Sequence, residues 1–142
     1  MTEDLAITTS EWEVMRIVWT LGKATSSEII QLLVRKGQWK ASTVKTLIGR
    51  LVQKGMLTAT KDGHTNTYQC AISERNAMQQ EANRLFQNMC AMKNGKVLAQ
   101  LIQEIQLSKT DIQNLQKVLN DKLQTAPDQV ACNCIPEEEL TK

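Results

Sequence analysis

Histidine, tyrosine and phenylalanine each occur once in these 142 residues and proline twice, and there is no glycine-rich loop of the kind that cradles phosphate. An acid–base or nucleophilic site has little to be built from, so the chain is read as a non-enzyme. No apolar run approaches the roughly 18–20 residues that a membrane span needs, and no signal-peptide core follows Met1; a cytoplasmic protein with no membrane partner is expected. Four cysteines in a reducing compartment are not a disulfide framework. Apolar residues make up 42% and charged residues 23%, the balance of a folded chain rather than a disordered one. The length suits one ordinary domain or two small ones.

Acid is missing altogether between Glu28 and Asp62, where Arg35, Lys36, Lys40, Lys45, Arg50, Lys54 and Lys61 supply seven positive charges. Residues 1–70 carry nine basic and six acidic side chains, and residues 71–142 carry eight and nine, giving +3 against −1. The two halves look built for different partners. From charge alone, phosphate neutralisation and a merely solvated basic face stand level.

Helical periodicity opens the chain. Ser10 and Glu13 form the pattern of a capping box, followed by Trp12, Met15, Val18 and Trp19 at helical spacing until Gly22. Thr25 and Glu28 form a second box ahead of a short helix with Ile29, Ile30, Leu32 and Leu33, closed by Gly37. A third helix runs from about Ala41–Ser42 to Gly55, with Val44, Leu47, Ile48 and Leu51 on one core face. The period then changes. Met56 to Lys61 and His64 to Gln69 read as two strands joined at Asp62-Gly63, a pair suited to a type I′ turn. Three short helices and a two-stranded hairpin are the element order of a winged helix-turn-helix domain, placed here at residues 1–70.

Residues 71–124 read as helical. From Ser73 to Met92, Met78, Ala82, Leu85, Met89 and Met92 recur at spacings of four, three, four and three, a narrow heptad-like seam broken by Asn94-Gly95. Val97, Leu98, Leu101, Ile102 and Ile105 make another apolar face, and Ser108 caps a last helix bearing Ile112, Leu115, Leu119 and Leu123. With Phe86 the one aromatic residue there, these helices bury little unless they meet a partner, so the segment is read as a homodimerisation unit. Packing on the first domain is the competing reading. Residues 125–142 hold both prolines and Glu137-Glu138-Glu139, without periodicity, and read as a flexible tail that carries Cys132-Asn133-Cys134.

At 100° per residue, a third helix that buries its apolar face turns Ser42, Thr46, Gly49 and Gln53 outward, with Lys45 on one flank and Thr43 and Arg50 on the other. Hydroxyls, an amide and cations suit base edges and phosphates. Glycine at an exposed mid-helix position costs roughly 1 kcal/mol relative to alanine, and close approach of a groove wall would offset that. Lys61-Asp62-Gly63-His64 at the hairpin tip would reach the flanking backbone. His64 on a polar turn suits phosphate contact or plain solvation better than metal binding.

The segment from Thr43 to Gly55, Thr-Val-Lys-Thr-Leu-Ile-Gly-Arg-Leu-Val-Gln-Lys-Gly, closely resembles the recognition-helix signature of the penicillinase-repressor (BlaI/MecI/CopY) family. Glu11 to Trp19 is similar to that family's first helix, and Lys61 to His64 with Tyr68 to its wing; the likeness runs from about Thr8 to Lys122. Cys70 stands where the family usually has proline, next to the hinge rather than on the DNA surface. The resemblance implies a dimeric repressor of double-stranded operator DNA, with a winged helix on each half of an inverted repeat. Two-fold symmetry would put the recognition helices about 34 Å apart or a multiple of that. Ser42, Thr43, Lys45, Thr46 and Arg50 would bear recognition, with Lys40, Lys61 and His64 on the backbone.

Release distinguishes the branches of that family. The β-lactam-responsive members carry an Asn-Phe bond that is cut on induction, and the matching positions here are Gln100-Leu101, which argues against that branch. The copper-responsive, CopY-type members end in two Cys-x-Cys pairs separated by four residues. This tail has Cys132 and Cys134, then Glu139 and Thr141 where the second pair would fall: half a motif. Soft thiolates favour Cu(I) and Zn(II), and two tails of a dimer could supply the four ligands that zinc prefers. The resemblance implies a zinc-bound repressing form released when Cu(I) replaces zinc, with a copper chaperone as a further partner. Cys70 and Cys90 are expected to be buried small residues rather than ligands. A repressor with another inducer, and a cytosolic copper-binding protein without specific DNA binding, are the alternatives.

Overall fold

The computed structural model describes residues 6–140; Thr141, one of the two positions where a second cysteine pair would fall, and the first five residues of the expected N-terminal domain lie outside the described residues. The chain divides into two compact units, one up to Glu81 and one from Ala82, with the boundary inside a helix. The fold is mostly helical with one small antiparallel sheet.

In the first unit α1 (Thr9–Leu21) is followed by the two-residue strand β1 (Ala24–Thr25), α2 (Ser26–Arg35), α3 (Ala41–Gln53), β2 (Leu57–Asp62) and β3 (Thr65–Cys70). This is the expected winged helix-turn-helix. Val14, Met15, Val18, Ile29, Leu33, Val44, Leu47, Ile48, Leu51 and Leu57 form one closed core, so every residue expected on the inner face of α3 is there. The amphipathic stripe of each helix drives this: none of the three is long enough to be stable without burying it.

The capping boxes differ in one place. α2 is capped by Thr25 and Glu28 as expected, but α1 is capped by Thr8 and Glu11 rather than by Ser10 and Glu13. Both pairs fit the spacing. Tertiary ion pairs decide between them, because Glu13 instead meets Lys36 at 3.1 Å and Arg16 at 3.5 Å. Trp19 donates its indole N–H to the Ile72 carbonyl at 3.0 Å, tying α1 to the segment after the wing.

The hairpin is shifted by one residue from the expected bounds. Asp62 pairs with Thr65, which leaves Gly63 and His64 as the central turn residues in place of Asp62 and Gly63. Gly63 has φ of +67° and His64 does not have positive φ, the pattern of a type II′ rather than a type I′ turn. β1 pairs with the inner strand, giving the order β1-β3-β2.

The second unit begins within α4 (Glu74–Gln87) and continues through a short 3-10 turn at Ala91–Lys93, α5 (Asn94–Glu104), α6 (Lys109–Leu123) and the single-turn α7 (Glu137–Leu140). The expected helix to Met92 is not continuous: α4 stops at Gln87, and Asn94-Gly95 opens α5 instead of breaking a helix. Ser108 caps α6 as expected, with Asp111 completing the box. The tail is irregular except for α7. No described helix is long and apolar enough to cross a membrane.

Candidate nucleic-acid interface and thiolate cluster

α3 is held by its core face, so its outer face is fixed in direction. Ser42, Thr43, Lys45, Thr46, Gly49, Arg50 and Gln53 are all exposed there, as are Lys40 just before the helix and Lys61 and His64 on the wing. The structure thus brings five of the expected recognition residues onto one helix and leaves the wing residues on the hairpin tip. Thr46 is not a free hydroxyl: it donates to the Ser42 carbonyl at 3.1 Å, so toward an outside group its oxygen serves as an acceptor. A Cβ built at Gly49 meets nothing described within 4 Å, so the chain's own packing does not require glycine there.

The start of α3 is unlike those of its neighbours. α1, α2 and α6 each begin with a complete capping box, whereas the N-cap residue of α3 is Lys40, which makes no side-chain cap hydrogen bond, and the first turn has no acidic residue. The leading amides and the positive dipole end are therefore open to an anion from outside.

The seven positive charges of the acid-free stretch do not all face solvent freely. Lys54 Nζ lies 2.6 and 2.8 Å from the two carboxylate oxygens of Glu11 and donates to the Ala6 carbonyl at 2.9 Å. Glu11 is fully buried. This ion pair ties the end of α3 to the start of α1 and removes Lys54 from the basic surface. Sequence reasoning missed it, because the spacing gave the N3 place to Glu13 and left Glu11 as an ordinary glutamate at the start of a helix. Lys36 is likewise engaged, by Glu13.

The second candidate site lies in the other unit. The Sγ atoms of Cys90, Cys132 and Cys134 all fall within 4.8 Å of one another. Cys90 and Cys132 sulfurs are 3.6 Å apart. The tail is seated there by Asn133, whose side-chain oxygen accepts the Ala91 N–H at 3.0 Å, and the Cys134 N–H donates to Cys132 Sγ at 3.5 Å. Cys90, expected as a buried small residue rather than a ligand, is instead only partly buried: α4 has ended before it, and its thiol lies beside those of the tail. No spacing signal marks this: the apolar seam runs on through Met89 and Met92, while the helix ends at Gln87 and leaves Cys90 in a turn. The Cys90 thiol is lowered to about 7, first by the hydrogen bond from Cys134 and then by the Met92 backbone N–H. Cys134 is correspondingly raised to about 11 by its hydrogen bonds to Cys90 and Cys132. Cys70 is separate from this group and half-buried in the first unit, and burial pushes its thiol up to about 12. Three thiols with no carboxylate or imidazole among them form a donor set suited to a soft metal ion.

A family model described as Penicillinase repressor matches residues 7–121. A relative from Latilactobacillus sakei, described as "Uncharacterized 16.5 kDa protein in ptsI 3'region", is 51% identical over 132 residues, covering 93% of this chain and 90% of that protein. The methicillin resistance regulatory protein MecI of Mammaliicoccus sciuri is 27% identical, over 82% of this chain and 94% of MecI. Among solved structures, the solution structure of the DNA binding domain of the repressor BlaI matches at 31% identity, with 52% of this chain, 90% of that one and a TM-score of 0.47. The chain belongs to the penicillinase repressor family of transcriptional repressors.

Proposed function

We propose that this protein is a cytoplasmic, copper-responsive repressor that binds an inverted-repeat operator as a homodimer and leaves it when Cu(I) replaces Zn(II) at its C-terminal cysteines. The observation that carries the reading is the outer face of α3, where Ser42, Thr43, Lys45, Thr46 and Arg50 are exposed together with no acidic side chain in the helix. Arg50 and Lys45 reach the base edges, where a cation pairs with guanine, and the hydroxyls serve bases and phosphates. Lys40 and the uncapped amides at the start of α3 hold one phosphate, and Lys61 and His64 hold the backbone beyond the wing. A second copy covers the apolar faces of α4, α5 and α6. The inducer is copper, delivered by a copper chaperone, because Cys132 and Cys134 are soft ligands standing together. Gln100 and Leu101 lie in the middle of α5, without the Asn-Phe bond of the β-lactam-responsive relatives.

Fluorescence anisotropy with DNA from upstream of the gene tests this. Tight binding that Cu(I) abolishes in the native protein, but not in Cys132→Ser/Cys134→Ser, is expected. Arg50→Ala should weaken operator binding by about 1–3 kcal/mol more than non-specific binding. Lys61→Ala should lower affinity for all sequences and reduce the salt slope by about one. Binding that ignores copper would remove the sensor, and the absence of any specific binding would remove the repressor.

A further inference from the structure

We infer that each chain builds its own soft-metal site from three thiolates, with Cys90 as the ligand that completes the Cys132-x-Cys134 pair. This deepens the copper reading and rests on it only for the identity of the ion. A planar set of three sulfurs, each about 2.3 Å from one ion, has its sulfurs about 4 Å apart. The three Sγ atoms here already lie within 4.8 Å of one another, with 3.6 Å between Cys90 and Cys132. Little movement separates this arrangement from coordination.

The local structure explains why these thiols meet. α4 ends at Gln87, and the 3-10 turn at Ala91–Lys93 leaves the Ala91 N–H free of a helical partner. Asn133 takes that N–H, which fixes the residue between the two tail cysteines against the turn that carries Cys90. The Cys134 N–H is directed at Cys132 Sγ, which holds the two tail cysteines close together. Each thiol gives up its proton as the ion binds, so the site closes as a clasp between the tail and the α4–α5 turn.

Coordination number sets its chemistry. Three thiolates suffice for Cu(I), whereas Zn(II) prefers four ligands and must add a donor from water or from another chain. The site therefore differs from the arrangement that the half motif alone suggests, in which two tails share one ion. The second cysteine pair is not needed, because the fold supplies the third sulfur from α4's end.

Native mass spectrometry and copper-edge X-ray absorption on the full chain loaded with Cu(I) test this, alongside competition with a chromophoric Cu(I) chelator. The expected result is one Cu(I) per chain bound by three sulfurs. Cys90→Ser should lose one sulfur and weaken binding about tenfold or more, while Cys70→Ser changes nothing. In the native protein, where no substitution can disturb folding, bound Cu(I) should protect Cys90 from alkylation together with Cys132 and Cys134. One ion per two chains with sulfurs from both, or a Cys90 that alkylates equally fast with copper bound, would overturn the site. Operator release is read separately. A three-sulfur site in a protein whose DNA binding ignores copper sinks the sensor and leaves the site standing; copper-driven release with Cys90 unprotected does the reverse.

Discussion

The two units of this chain use helices of similar length in opposite ways. In the first, α1, α2 and α3 close around Met15, Ile29, Leu33, Val44, Leu51 and Leu57, all essentially without solvent exposure. In the second, no described residue from Ala82 onward is buried, and Leu85, Met92, Leu98, Leu101, Ile105, Ile112, Leu119 and Leu123 stay exposed. The difference teaches what each part needs. The winged helix completes its own core and can spend its outer face on polar recognition, whereas α4 to α6 hold unpaired apolar stripes of a kind that monomeric proteins seldom leave uncovered. Folding of the first unit is thus intrinsic, and folding of the second is expected to be linked to association.

The largest effect should come from the buried ion pair. Glu11→Leu alone leaves Lys54 without its carboxylate and should destabilise the first unit by about 3 kcal/mol, read by chemical denaturation. Glu11→Leu with Lys54→Met should recover most of that loss, since an apolar pair of similar volume removes the uncompensated charge. Next comes one substitution made on both sides of the comparison. Leu51→Ala should cost about 2–5 kcal/mol at any protein concentration. Leu119→Ala should cost less than about 0.5 kcal/mol in a monomer, so a larger, concentration-dependent loss would sharpen the contrast by showing that another chain covers that face.

Smaller effects separate the local readings. Thr8→Ala should cost about 1 kcal/mol in thermal stability, and Ser10→Ala should fall within about 0.5 kcal/mol. Gly49→Ala should stabilise the free protein by up to about 1 kcal/mol, and, if a groove wall approaches there, should weaken operator binding at the same time. In the metal-free protein near pH 7, Cys90, with its thiol near 7, should alkylate well before Cys70, whose thiol is held at about 12.

Where local pattern decided the structure, the sequence was readable. The apolar spacing of Val44, Leu47, Ile48 and Leu51 set both the buried face of α3 and the direction of its opposite face, so the five expected recognition residues on that helix, Ser42, Thr43, Lys45, Thr46 and Arg50, emerge exposed. The Thr25–Glu28 and Ser108–Asp111 boxes were equally local. Where two local solutions competed, tertiary contacts chose. Glu13 went to Lys36 and left the cap of α1 to Thr8, and the hairpin register moved by one residue to put Gly63 first in the turn. β1, two residues long, carries no periodicity to read. The Glu11–Lys54 and Cys90–Cys132 pairs join residues 43 and 42 positions apart, a separation that no spacing rule reaches.

The contrast between the units rests on one claim, that the second closes only against another copy. Sedimentation velocity of the full chain across the micromolar range measures it directly. The account predicts a species of about 32 kDa, twice the 16.0 kDa of one chain, dissociating on dilution or when Leu101 and Leu119 are both changed to aspartate. A folded 16.0 kDa species that persists at micromolar concentration while binding operator DNA would contradict it.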